Sequence, residues 1–112
     1  MSDNVSKEIR SMVTNDGNIE LSIKTSEIPT PSADEVIIKV EAAPINPSDL
    51  GLLLSFAADI SSISTSGSGD ETITTMKIHP ALIGAMKPRL DESMQVGNEG
   101  AGVIVDLSLI HI

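Results

Sequence analysis

Apolar and polar residues alternate most regularly in two stretches of the chain. In IELSIKT (19–25), Ile19, Leu21 and Ile23 fall on one side of an extended backbone, and Glu20, Ser22 and Lys24 on the other. In EVIIKVEAA (35–43), Val36, Ile38, Val40 and Ala42 point one way, opposite Glu35, Lys39 and Glu41. A period of two is that of a strand with one face buried, so both stretches are expected as half-buried strands of an antiparallel sheet or barrel. The joining segment SEIPTPSAD is a loop, because Pro29 and Pro31 cannot donate to a ladder. IRSMVT (9–14) is a weaker first strand, and Asp16-Gly17 within NDGN is a good hairpin turn into the second.

Beyond residue 43 the period changes. In APINPSDLGLLLSF, Asn46 suits a helix N-cap, Pro47 the first helical position, and Asp49 the positive end of the helix dipole. A short helix from about Pro47 to Phe56 is predicted. Residues 57–75, AADISSISTSGSGDETITT, are rich in Ser, Thr and Gly and read as a mobile surface insertion. HPALIGAMKPRLDESMQ (79–95), broken by Pro80, Gly84 and Pro88, reads as irregular loop or single turns, and GAGVIVD as a further strand. The final LSLIHI carries no turn signal, cap or charge. Read back into codons it resembles a transposase adapter, so residues 107–112 are expected to be a non-native tail and residues 1–106 the domain.

Composition narrows the function classes. The chain has 112 residues, enough for one small domain, and a single aromatic residue, Phe56. Its core must therefore be built from aliphatic side chains and Met, each contributing less buried area than an aromatic ring. Seven basic residues stand against sixteen acidic ones, for a net charge of −9. No Lys or Arg occurs between Lys39 and Lys77. Nucleic acid and anionic membranes are thus disfavoured as partners. With no cysteine there is neither a disulfide nor a thiolate metal site. The N-terminus lacks the apolar core of a signal peptide, and LGLLLSFAADI is about half the length of a membrane-spanning helix. A cytoplasmic protein is the expectation.

The glycines of VGNEGAGVIVD (96–106) invite a phosphate-loop reading, but they precede an apolar strand instead of opening a helix, and their spacing is GxxGxG. A strand start offers no helix dipole to a phosphate. The geometry favours backbone entry into a strand with close packing.

Two blocks, DEVIIKVEAAPINPSDLGLL and VGNEGAGVIV, about fifty residues apart and in this order, resemble the N-terminal GroES-like catalytic domain of the medium-chain dehydrogenase/reductase superfamily. The resemblance covers residues 9–106. It implies a mainly β fold with short helices, a distorted β-barrel, followed in the parent protein by a Rossmann domain that this chain lacks. Zinc alcohol dehydrogenases of the family carry a cysteine ligand where Asn46 stands, and a histidine ligand within GHE where this chain reads Gly97-Asn98-Glu99. An amide oxygen is a poor substitute at a tetrahedral zinc site, so no zinc is expected. The INPSD wording is similar to the zinc-independent quinone oxidoreductase and enoyl reductase branch, whose Asn matching Asn46 lies near the nicotinamide and its ribose.

The resemblance therefore implies an NAD(P)H-dependent oxidoreductase acting on quinones or activated alkenes. NADPH would be bound mainly by the missing Rossmann domain, the parent would be a homodimer, and this portion alone would be inactive. The cleft residues are Asn46, Asp49, Asn98 and Glu99, with a small molecule as substrate and no single residue assigned as catalytic. Each has a plainer structural reading: helix cap for Asn46, first-turn charge for Asp49, hydrogen-bond roles for Asn98 and Glu99. His79 is an isolated loop histidine. Two alternatives are a stand-alone GroES-like binding or assembly module and a zinc alcohol dehydrogenase with divergent ligands.

Overall fold

The computed structural model describes residues 5–54 and 58–107. In chain order the elements are β1 (Val5–Val13), β2 (Asn18–Glu27), β3 (Val36–Ala42), α1 (Pro47–Leu53) and β4 (Ala58–Ser66). A 3-10 turn (Gly69–Glu71), β5 (Ile73–Ile78), a 3-10 helix (Pro80–Arg89), β6 (Met94–Gln95) and β7 (Ala101–Leu107) complete them. The architecture is mainly β with short helices, as the alternation predicts. One antiparallel sheet has the order β4-β5-β2-β1-β6, and β3 and β7 form a second, two-stranded antiparallel sheet. Both sheets are open.

β1 and β2 are joined where the sequence places the turn. Gly17 takes φ 88°, a left-handed conformation natural only to glycine, and its N–H reaches the Thr14 carbonyl at 3.1 Å. Val13 then faces Ile19 across the hairpin, and Ile19 faces Met76 on β5. These three, with Ile78 and Met86, are the buried apolar core among the described residues. Leu54, Leu82, Ile83 and Leu90 pack against it from the end of α1 and the 3-10 helix. The core thus lies between one face of the five-stranded sheet and the segment 80–90.

The insertion expected as a loop is mostly strand. Residues 58–66 and 73–78 form the antiparallel pair β4–β5, with Thr65 and Thr74 hydrogen-bonded across it at 3.2 Å. The Ser/Thr composition misleads because this hairpin is held by its main chain, and Thr packs well on a pleated surface. The register shifts between Asp59 and Ser64. There, side chains replace the ladder: Ser62 Oγ accepts the Lys77 N–H at 2.8 Å, and the Asp59 carboxylate accepts the Ser61 N–H at 3.0 Å. The predicted helix is shorter at its C-terminal end, and Phe56 falls outside the described residues.

A second difference concerns β3. The side expected to be buried is open: Val36, Ile38 and Val40 are 41%, 53% and 61% exposed. The cause is topological: among the described residues β3 pairs only with β7, outside the five-stranded sheet that holds the core. Of the expected tail, Leu107 pairs with Val36 as the last residue of β7, and residues 108–112, His111 among them, lie outside the described residues. No helix among the described residues is long and apolar enough to cross a membrane.

Candidate functional site

The site is built on the start of α1. Asn46 is the N-cap, with extended backbone angles (φ −91°, ψ 157°), Pro47 opens the helix, and Asp49 is its third residue. The Asp49 N–H donates to the Asn46 carbonyl at 2.9 Å, and the Asp49 carboxylate accepts the Asn46 N–H through Oδ2 at 2.8 Å. A carboxylate at this position satisfies an otherwise orphaned donor and sits favourably at the helix N-terminus. Asp49 is only 3% exposed.

The second block meets it here. Gly97, at φ 108°, turns the chain so that Asn98 lies over the helix start. Asn98 Nδ2 donates to Asp49 Oδ1 at 3.2 Å and to Ser48 Oγ at 3.1 Å. Residues 46, 49 and 98 are therefore one connected cluster. Glu99 stands apart from it, exposed, on an open groove lined by Ala42, Ala43, Pro44, Gly100 and Ala101. The ion pairs of the described residues are Lys7–Asp70 and Glu8–Arg10, so neither Asp49 nor Glu99 takes part in one.

The cluster has a definite polarity. An ionised carboxylate only accepts, so the contact with Asp49 fixes which end of the Asn98 amide is NH2. Both acceptors reached by Asn98 lie on Nδ2, which leaves its Oδ1 to accept from a ligand. The corner can orient a hydroxyl or carboxamide donor through Asn98 Oδ1, and the Ser48 hydroxyl, which accepts from Asn98, keeps its own proton to donate. Among the described residues, no group of three or more His, Cys, Asp or Glu side chains could hold a metal ion.

The glycines act on the backbone. A Cβ on Gly102 would lie 2.0 Å from the Lys39 carbonyl oxygen, and one on Gly100 would lie 3.2 Å from Val40 Cγ1. Both let β7 close on β3, as the strand-entry reading expects. His79 caps the 3-10 helix, its Nδ1 accepting the Ala81 N–H at 3.3 Å.

Sequence reasoning missed Ser48, although it lies inside the quoted block between two named residues. It also missed a buried tie. Ser11, fully buried, donates to the Leu52 carbonyl at 2.5 Å and accepts from the Arg89 guanidinium at 3.1 Å. Burial lowers the Arg89 pKa from its ordinary value, and its Nε is buried with no hydrogen-bond partner. No sequence signal announces this tie, because its members are 41 and 78 residues from Ser11.

Comparison with known proteins adds no family: no family model matches the chain, and no curated protein matches it.

Proposed function

We propose that the chain is the substrate-side, GroES-like catalytic domain of an NAD(P)H-dependent, zinc-independent oxidoreductase acting on quinones or activated alkenes. The observation that carries this reading is the meeting of the two blocks at one corner. Asn98 of the second is hydrogen-bonded to Ser48 and Asp49 of the first. In the zinc enzymes that the sequence resembles, two metal ligands would occupy positions 46 and 98, and here both are amides. Amide oxygens do not replace thiolate and imidazole at zinc.

A nicotinamide nucleotide suits this corner in part. Asn98 Oδ1 offers an acceptor to a ribose hydroxyl or carboxamide N–H, with Asp49 fixing the amide. Among the described residues no Lys or Arg pairs with the cluster to hold phosphates, a task left in this reading to a Rossmann domain outside the chain. The bound cofactor supplies the hydride. The chain's own contribution in this reading is to orient the ring through Asn98, held by Ser48 and Asp49. Little acid–base machinery is needed, and the chain by itself should bind cofactor weakly and turn nothing over.

The longer reading frame tests this. A Gly-rich strand–loop–helix within about a hundred residues downstream is expected, since that motif holds the pyrophosphate. The full-length protein should oxidise NADPH with a quinone acceptor, be indifferent to chelators, and lose cofactor affinity on Asn98→Ala. A frame lacking the motif, or an activity abolished by chelation, would end the proposal.

A further inference from the structure

β4 is the outer strand of the five-stranded sheet, and it carries more residues than its partner can pair. Ala58 and Asp59 face Ile78 and Lys77, whereas Ser64, Thr65 and Ser66 face Thr75, Thr74 and Ile73. Residues 60–63 thus stand opposite Met76 alone, a surplus of three. Met76 is paired with Ile19 on β2 and, among the described residues, with no residue of β4. Side chains hold the surplus in place. Ser62 Oγ accepts the Lys77 N–H at 2.8 Å and donates to the Asp59 carbonyl at 2.6 Å, so it stands between two main-chain groups. Ile60 and Ile63 are left 57% and 52% exposed.

The same sequence fits a second arrangement. Continued without a break, the register of Ala58 and Asp59 sets Ile60 opposite Met76, Ser61 opposite Thr75, Ser62 opposite Thr74 and Ile63 opposite Ile73. Ala58, Ile60 and Ser62 then follow the face on which Met76 and Ile78 are buried. Ala58 keeps its packing against the core, Ile60 leaves water, and the Lys77 N–H and Asp59 carbonyl are free to pair directly. Given up are the ladder at residues 64–66 and the exposed Thr65–Thr74 hydrogen bond. Extending the other register, with Ile63 opposite Met76, sets Ser61 opposite Ile78 and takes Ala58 off the core, so it is the poorer alternative. A strand is held in register by a buried face, and on β4 only Ala58 and Ser62 are even half-buried.

We infer that β4 exchanges between the bulged register and an unbroken one in which Ile60 packs beside Met76. The surplus passes to the tip of the hairpin: residues 64–66 leave the ladder and join the turn 67–72, whose Asp70 is paired with Lys7 of β1. The β4–β5 hairpin is thus a strand pair that lengthens its Ser/Thr/Gly-rich tip by three residues while the core stays folded. The inference does not depend on the oxidoreductase reading.

Relaxation dispersion of the backbone amides of the 112-residue chain tests this. Residues 58–66 and 73–78 should share one exchange process on the microsecond-to-millisecond timescale, with a minor state of about 1–10%. Ile60→Asp should remove it, since the unbroken register presses a carboxylate against Met76 while the bulged one leaves position 60 in water. Ile63→Asp should leave the exchange in place, because position 63 then faces Ile73, itself 37% exposed. Deleting residues 61–63 lets residues 58–60 and 64–66 pair with 73–78 unbroken. By circular dichroism this variant should fold, with an unfolding midpoint no lower than the parent's, and its dispersion should be flat. Flat dispersion in the parent, exchange that survives Ile60→Asp, exchange abolished by Ile63→Asp, or a deletion variant that fails to fold would each overturn the inference.

Discussion

Asp49 shows how one side chain can serve both the fold and the site. It is buried, accepts the Asn46 N–H that begins the helix, and accepts the Asn98 amide that brings in the second block. Asp49→Ala should therefore lower stability by about 1 kcal/mol, the usual cost of losing a helix cap, since the exposed Asn98 amide keeps Ser48 as a partner. Urea unfolding measures it, and a change within about 0.5 kcal/mol, typical of a surface substitution, would show that the cluster is incidental. Glu35 illustrates a purely local effect. Its carboxylate accepts the Ser32 N–H at 3.0 Å and the Ser32 hydroxyl at 2.7 Å, and these bonds lower its pKa from the ordinary carboxylate value. A carboxyl depressed on folding stabilises the turn above its unfolded value, and the contribution is lost as pH falls through the folded one. The Ser32 amide resonance should accordingly titrate with a lower midpoint than the same resonance in the urea-unfolded chain, whereas an equal or higher midpoint would mean the turn does not form in solution.

Individual elements differ in how openly the sequence displays them, and the reason is burial. β2 is legible because Ile19 is fully buried and Leu21 and Ile23 half-buried on one face. β4 is not, because Ile60 and Ile63 are both largely exposed and a register shift breaks the period between them. β3 is legible as a strand, while the exposure of its apolar face is not, since alternation says which residues share a side and nothing about what covers it. The cluster of Asn46, Asp49 and Asn98 could be anticipated from two quoted blocks; the tie from Ser11 to Arg89 depends wholly on tertiary packing. β7 offers the sharpest test at this scale. Gly102→Ala places a methyl against the Lys39 main chain, which cannot swing aside as a side chain could. The β3–β7 amides should lose hydrogen-exchange protection while the five-stranded sheet keeps its own, and unchanged protection at residues 101–106 would refute that local geometry.

At the scale of the whole molecule, two sheets of unequal strength share one chain. The larger is anchored, among the described residues, by Val13, Ile19, Met76, Ile78 and Met86. Met76→Ala, at a position 1% exposed, should cost about 2–5 kcal/mol. Total stability for a domain is only about 5–15 kcal/mol, so this variant should unfold far below the parent's denaturation midpoint. β3 and β7 pair with each other alone, and two strands without a packed face hold little stability of their own. Amide exchange on the dilute chain should separate the two: slow in β1, β2 and β5, limited by global unfolding, and fast in β3 and β7, limited by local opening. Equal protection of both sheets in the dilute monomer would show instead that they unfold as one cooperative body.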